Sequence, residues 1–200
     1  NFEYQEDRFT KNIEKLPEYD KSFILKAYET SEKFHSGQER AEGVPYFIHC
    51  IRIANNLIEK LGIHKKEVIA AALLHDAVED SDLELSEIEK LFGAEVAEMV
   101  KNLTRDHKGD TEENKYERKI RHAEHVSHKD RYSKMIKAMD FLDNVTSWSV
   151  IPLDSPLRKK FPRWFKEAEN MYIPFAKKLD DSIADEINER LEIINQQESK

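Results

Sequence analysis

Residues 66–78 constrain the fold more than any other stretch of this chain. Val68, Ile69, Ala71, Ala72, Leu73 and Leu74 follow one another almost without interruption, and a helix apolar on most of its sides belongs at the centre of a core. The run ends on His75-Asp76 and, one turn later, Glu79-Asp80. A carboxylate buried alone is costly, so Asp76 must be paired, hydrogen-bonded or bound to a metal ion. Mixed nitrogen and oxygen donors suit a divalent metal and would account for His75 and Asp76 together. In a continuous helix His75 shares a face with Glu79, and Asp76 with Asp80. The second acidic pair then lies roughly 6 Å further along the axis, a spacing suited to handling an attacking water rather than the metal. Taken alone, the His-Asp dipeptide is better explained by a buried ion pair followed by a solvated helix end, because short motifs recur by chance.

The remaining segments read as further helices. Residues 19–34 carry an apolar stripe of Phe23, Ile24, Ala27, Tyr28 and Phe34, stopped near Gly37. Pro45 opens a helix that runs to about Leu61 and closes at Gly62. A short helix starts at 85–89 and ends at Gly93, and amphipathic helices are predicted over 94–103 and 117–125, separated by a polar loop over 106–115. Residues 132–148 form another helix, Pro152, Pro156 and Pro162 punctuate a loop, and 163–193 hold the last helices with a kink or boundary at Pro174. Five glycines and six prolines in 200 residues are too few for a hairpin-rich fold. The expectation is an all-α, irregular multi-helix domain over 19–200, with 1–18 as an N-terminal extension.

Composition narrows the function. A chain of this length buries a core without disulfides, and its single cysteine, Cys50, rules out an intrachain bridge and fits a reducing, cytoplasmic setting. No run of 18 apolar residues is present, so no membrane span is expected, and the first residues do not resemble a secretory signal. A net charge of −8 argues against nucleic acid as a partner. It leaves room for a small phosphorylated substrate held by a metal and a few local cations.

The His-Asp pair belongs to a longer ordered pattern. The chain reads His35-Ser-Gly-Gln38-Glu-Arg40-Ala-Glu-Gly43-Val-Pro45-Tyr46-Phe-Ile-His49, then His75-Asp76-x-x-Glu79-Asp80, Phe92-Gly93, Leu103-Thr104 and Lys137-x-x-Asp140-x-x-x-Asn144. Over roughly residues 19–179 this resembles the hydrolase domain of the RelA/SpoT-type alarmone enzymes, and is especially similar to the small stand-alone hydrolases, the animal SpoT homologue among them. The resemblance implies an HD-type, metal-dependent phosphohydrolase. His49, His75, Asp76 and Asp140 correspond to its metal ligands, and Glu79 and Asp80 to its catalytic carboxylates. Arg40 corresponds to the residue packed on the guanine base, and Asn144 to one beside the ribose and the catalytic carboxylate. Tyr46 and Lys137 stand at motif positions for substrate binding, Lys137 towards phosphate. The family uses manganese and removes the 3′-pyrophosphate of guanosine tetra- or pentaphosphate in the stringent response. The donor set by itself would accept several divalent ions. These 200 residues hold no synthetase domain, so the expected activity is degradation without synthesis.

Three positions depart from the family pattern. Ala41 stands where a second basic or polar residue is usual, Cys50 replaces the proline after the ligand histidine, and Asp143 occupies a position commonly His or Tyr. Cys50 is read as a packing residue, since adjacent helical side chains point ~100° apart. Asp143 either alters the charge preference at the site or faces solvent. These departures keep open a phosphohydrolase acting on another nucleotide or phosphoester, such as NADPH or a modified alarmone, and also a non-catalytic nucleotide-sensing module. His122, His125 and His128 read as a polar helix face rather than a second metal site. His35 serves either the pocket or the helix end, and Trp148, Phe161 and Trp164 read as core or oligomer-contact aromatics. The oligomeric state is open, with a homodimer as one option.

Overall fold

A computed structural model describes residues 1–198. The chain begins with α1 (Phe2–Ile13) and α2 (Glu18–Phe34), then a loop closed by one isolated bridge between Glu39 and Pro45. It continues through α3 (Phe47–Leu61), α4 (Lys66–Leu74), the single turn α5 (Ala77–Asp80), α6 (Leu85–Phe92), α7 (Ala94–Leu103), α8 (Lys115–Ser127) and α9 (Arg131–Trp148). A 3-10 turn at Pro156–Lys160 leads to α10 (Phe161–Glu167), a π turn at Ala168–Tyr172, α11 (Ile173–Lys177) and α12 (Asp181–Glu198). Among the described residues there is no strand, so the class is all-α.

Helix α4 is the hub. Val68 to Leu74 are all inaccessible to solvent, and α4 packs against α2, α3, α7 and α9. The surrounding helices each turn one stripe toward it, as an amphipathic helix must. Local chemistry sets their ends. Gly62 adopts φ 63°, which reverses the chain after α3, a conformation an L side chain rarely takes. The Asp130 carboxylate accepts the amides of Tyr132 and Ser133 at 2.9 Å each, an N-cap that starts α9.

Two features differ from the sequence expectation. The helix predicted over 66–78 is not continuous: α4 stops at Leu74, and His75-Asp76 form a turn before α5. In an unbroken helix the Ala72 and Leu73 carbonyls would receive the amides of Asp76 and Ala77. Here they accept instead from His75 Nδ1 at 2.8 Å and Ser31 Oγ at 2.5 Å, and such side-chain bonds compete with the helical ladder. The turn keeps an i to i+4 link, since the Asp80 amide donates to the Asp76 carbonyl at 2.9 Å. Second, residues 1–18 include a helix whose Phe9 and Ile13 lie in the same core as α3 and α4. Phe9 stacks on Tyr28 with ring centroids 5.5 Å apart, and buried Asn55 of α3 donates to the Gln5 carbonyl at 3.1 Å.

The aromatic residues near the C-terminus are core. Trp148 and Phe161 are buried, and Trp148 stacks on Trp164 at 5.2 Å. Pro174 sits in the first turn of α11, directly after the π turn. No helix of the described residues is long and apolar enough to cross a membrane.

Candidate active site

Helices α3, α9 and the α4–α5 turn converge on one cluster. His49, His75 and Asp76 bring donor atoms within 4.8 Å of one another. His75 Nε2 lies 3.1 Å and His49 Nε2 3.6 Å from Asp76 Oδ2, and Asp140 Oδ1 is 3.3 Å from His49 Nε2. Both histidines and Asp140 are buried.

The hydrogen bonds at the far side of each ring decide what the near side can do. His75 Nδ1 faces the Ala72 carbonyl at 2.8 Å, and His49 Nδ1 faces the Asp143 carboxylate at 2.6 Å. Each Nδ1 is thus tied back to its acceptor and each Nε2 turns toward the cluster, the nitrogen a neutral ring would offer to a metal. Without one, burial disfavours the charged rings, but Asp76 beside His75, and Asp140 with Asp143 beside His49, outweigh it and raise both. His75 Nε2 is buried with no hydrogen-bond partner, the expected condition of an atom awaiting a metal. Ligand bonds of about 2 Å span donors at these separations. The residues thus fit a divalent ion, with Asp140 as the least committed member: its carboxylate also accepts from Lys137 Nζ at 2.8 Å and Asn144 Nδ2 at 2.9 Å.

Glu79 and Asp80 stand beside this cluster on the short α5. The Arg105 backbone amide donates to Glu79 Oε2 at 2.7 Å, and His107 Nε2 touches Glu79 Oε1. Burial first, and then the negative charge of Asp76, push the carboxyls of both Glu79 and Asp80 above their ordinary values. Asp76 moves the other way: burial raises it, but His75 and His49 outweigh burial and keep it ionised. The Tyr46 hydroxyl donates to Asp76 Oδ2 at 2.7 Å, so this oxygen is approached by three groups at once.

A cavity of about 390 Å³ opens over these residues, in the range of small-molecule sites. Tyr46, His49, Asp76, Glu79, Asp80, Lys137, Asp140 and Asn144 line it. A basic wall of Arg105, His107, Lys115 and Lys119 adjoins Glu79, and His122, Phe141, Met171 and Tyr172 complete the lining. Lys119 is held by the buried carboxylate of Glu167 at 2.7 Å. His122 Nε2 meets the Leu103 carbonyl at 3.0 Å, and burial together with nearby Lys137 lowers its pKa to about 4, so it enters the cavity as a neutral ring. Carboxylates, a metal cradle and basic side chains thus line one cleft, an arrangement that accepts a polyanion despite the acidic chain.

Arg40 does not line this cavity. Its guanidinium donates to Asn144 Oδ1 at 3.0 Å, Ser147 Oγ at 3.2 Å and Glu42 Oε1 at 3.2 Å, and lies over the Tyr46 ring at 5.7 Å. Asp143, read from sequence as a modifier of substrate charge or a solvated group, is buried at 2% exposure and points at His49 rather than into the cleft. Burial raises its carboxyl, but the His49 bond and the Arg52 guanidinium overcome this and bring it to about 2. Cys50 is a fully buried core residue. The basic wall was missed from sequence because residues 106–115 carry no periodicity, and nothing local shows that this loop folds over Glu79. The cationic side of α8, with Lys115 and Lys119 one turn apart, was the available signal.

The comparisons with known proteins agree with this geometry. The HD domain model matches residues 27–143. The chain is 33% identical over 151 residues to the guanosine-3′,5′-bis(diphosphate) 3′-pyrophosphohydrolase MESH1 of Drosophila melanogaster, covering 74% of this chain and 78% of that protein. It is 36% identical over 160 residues to a guanosine-3′,5′-bis(diphosphate) 3′-pyrophosphohydrolase of Aquifex aeolicus, covering 78% of this chain and 21% of that one. The chain spans about a fifth of the length of such long relatives, a probable GTP diphosphokinase of rice included. Among solved structures, a metazoan ortholog of SpoT described as hydrolysing ppGpp aligns with a TM-score of 0.64 at 28% identity, over 88% of this chain and 95% of that one. The chain belongs to the HD-domain family, among the relatives of the MESH1 hydrolases.

Proposed function

We propose that this protein hydrolyses the 3′-pyrophosphate of guanosine 3′,5′-bis(diphosphate) and its pentaphosphate analogue, releasing GDP or GTP and pyrophosphate, with one divalent ion, manganese, held by His49, His75, Asp76 and Asp140. The observation that carries the reading is the convergence of donor atoms of His49, His75 and Asp76, one turn from Glu79-Asp80 in a cavity also lined by basic side chains. The names of the relatives supply the nucleotide. A bound divalent ion supplies Lewis acidity, polarising a phosphoryl oxygen and lowering the pKa of water.

The chain's own residues do the rest. Glu79 Oε1 or Oε2 takes the proton of the attacking water. Arg105 and His107 fix that carboxylate in place, and Asp80 lies beside it in the same cavity. Lys137 is held charged by Asp140, which outweighs its burial. Together with Lys115, Lys119 and Arg105 it offsets the charge of the 3′-diphosphate as water bonds to its phosphorus and the bond to the ribose 3′-oxygen breaks, that oxygen taking back the proton from Glu79. Tyr46 orients Asp76, and Asn144 bridges Asp140 and Arg40. The net charge of −8 and the confined basic wall favour a small nucleotide over nucleic acid. A cytoplasmic location accompanies this reading.

One observation favours a second substrate. Arg40 is engaged by Glu42, Asn144 and Ser147, so it is not presented as a free base clamp. A phosphohydrolase for another nucleotide, NADPH included, fits that constraint. Purified protein with Mn²⁺ and guanosine tetraphosphate should release GDP and pyrophosphate, with NADPH and simple phosphoesters as parallel arms. No product from guanosine tetraphosphate with metal demonstrably bound rejects the first reading, and phosphate release from NADPH alone selects the second.

A further inference from the structure

Asp143 is a buried charge that the proposed hydrolysis does not use. It lies on α9, 2% exposed, at a position where the sequence resemblance leads one to expect His or Tyr. Its Oδ2 accepts from His49 Nδ1 at 2.6 Å. Arg52 of α3 donates through Nε to Oδ1 at 2.6 Å and through Nη2 to Oδ2 at 2.9 Å. Arg52 Nη2 also donates to Glu42 Oε1 at 3.1 Å, and the Glu42 side chain is 4% exposed.

Burying two acids and an arginine side by side is weak evidence of a stabilising device, because desolvation offsets most of the Coulombic gain. Orientation is the better account. An imidazole binds a metal through one nitrogen only when the other keeps its proton, and an anionic acceptor at that other nitrogen fixes both tautomer and ring plane while making the donor more basic. The two histidines of the cradle differ in this respect. His75 has a neutral carbonyl behind it, that of Ala72, whereas His49 has a carboxylate. Arg52 could satisfy the Asp143 carboxylate unaided through its bidentate contact, yet Asp143 Oδ2 is shared with His49.

We propose that Asp143, charge-balanced by Arg52, is a positioning residue that fixes His49 as an Nε2 donor to the divalent ion. This rests on the reading of His49 as a ligand. Glu42, itself shared with Arg40, holds Arg52 in register, so two acids are matched by two guanidiniums and the carboxylate reaches His49 without carrying a net negative charge into the cleft.

The test titrates Mn²⁺ alone by calorimetry into the wild-type protein, D143N, D143N/R52Q and H49Q, with thermal melts of the metal-free proteins and imidazole ¹⁵N shifts of His49. D143N should weaken Mn²⁺ binding about 10–100-fold, the usual effect of losing such a partner. D143N/R52Q removes one charge of each sign and leaves Glu42 its Arg40 partner. It should melt close to wild type yet keep the weakened affinity, and its His49 shifts should move away from a single Nδ1-protonated tautomer. A merely structural ion pair predicts the opposite, with Mn²⁺ affinity and His49 shifts of D143N/R52Q equal to wild type, and that result overturns the proposal. If H49Q loses Mn²⁺ while D143N/R52Q retains it, positioning alone fails. If H49Q binds Mn²⁺ as tightly as wild type, the ligand reading fails and this proposal with it.

Discussion

His49 and His75 face each other with ring centroids 5.3 Å apart, and each has its Nδ1 tied to an acceptor the other does not share. Both rings therefore turn Nε2 toward Asp76, and His75 Nε2 has no hydrogen-bond partner. Replacing either ring should abolish tight metal binding. His75→Gln is expected to lower Mn²⁺-dependent pyrophosphate release by on the order of 10²-fold or more, since losing only a supporting partner costs 10–100-fold. Chelation followed by Mn²⁺ should restore the wild type and not the variant. Equal Mn²⁺ affinity in the variant would remove His75 from the cradle.

Glu79→Gln separates the metal from the chemistry. The variant keeps the shape and the Arg105 amide contact at Oε2 but cannot take a proton. Turnover should fall about 10²–10⁴-fold with Mn²⁺ affinity near wild type. A variant that turns over at the wild-type rate would place the base elsewhere.

The raised carboxyls of Glu79 and Asp80 carry a pH signature. Burial and the Asp76 charge disfavour their ionised forms in the folded protein. The native state therefore binds more protons than the unfolded chain as pH rises past the ordinary carboxylate range, and stability falls through the folded pKa values. In metal-free protein at neutral pH, Glu79→Gln should melt above wild type, with the gap closing below about pH 4. A wild-type melt that is independent of pH from 4 to 8, and matched by Glu79→Gln, would contradict both shifts.

Lys119, fixed by Glu167 at 2.7 Å, faces the cleft from α8. Lys119→Ala should raise KM for guanosine tetraphosphate about 10–150-fold, in line with the loss of a charge-assisted hydrogen bond of ~1.5–3 kcal/mol, and leave Mn²⁺ affinity unchanged. Steady-state kinetics at two salt concentrations would show it, because the wild-type KM should rise more with salt than that of the variant.

Helix α1 can be tested by stability alone. Phe9 is 2% exposed and stacked on Tyr28. Phe9→Ala should cost about 3–5 kcal/mol in urea unfolding, the range for truncating a buried phenylalanine. A cost under about 1 kcal/mol would make α1 an appendage rather than part of the core.

Much of this protein was legible before any coordinates. Hydrophobic period marks most helices from α2 to α9, because the apolar stripe that makes a helix bury itself is written in consecutive residues. The apolar run before His75 placed α4 at the centre, and it lies there with Val68 to Leu74 inaccessible. The wider set of site residues came from the resemblance of the ordered motifs to the alarmone hydrolases, not from periodicity, and of that set Arg40 does not line the cavity.

The tertiary structure decided what depends on distance along the chain. The break at His75-Asp76 needs Ser31, 42 residues away, to take the Leu73 carbonyl. The role of Asp143 needs Arg52, 91 residues away, to neutralise it, and the basic wall needs an aperiodic loop folded onto Glu79. Residues 66–78 by themselves determined that a histidine and an aspartate would be carried into the core at the end of an apolar helix. Which nitrogen of each histidine faces the cleft was settled only by packing, because a tautomer is set by the partner behind the ring, and those partners lie on other turns and other helices.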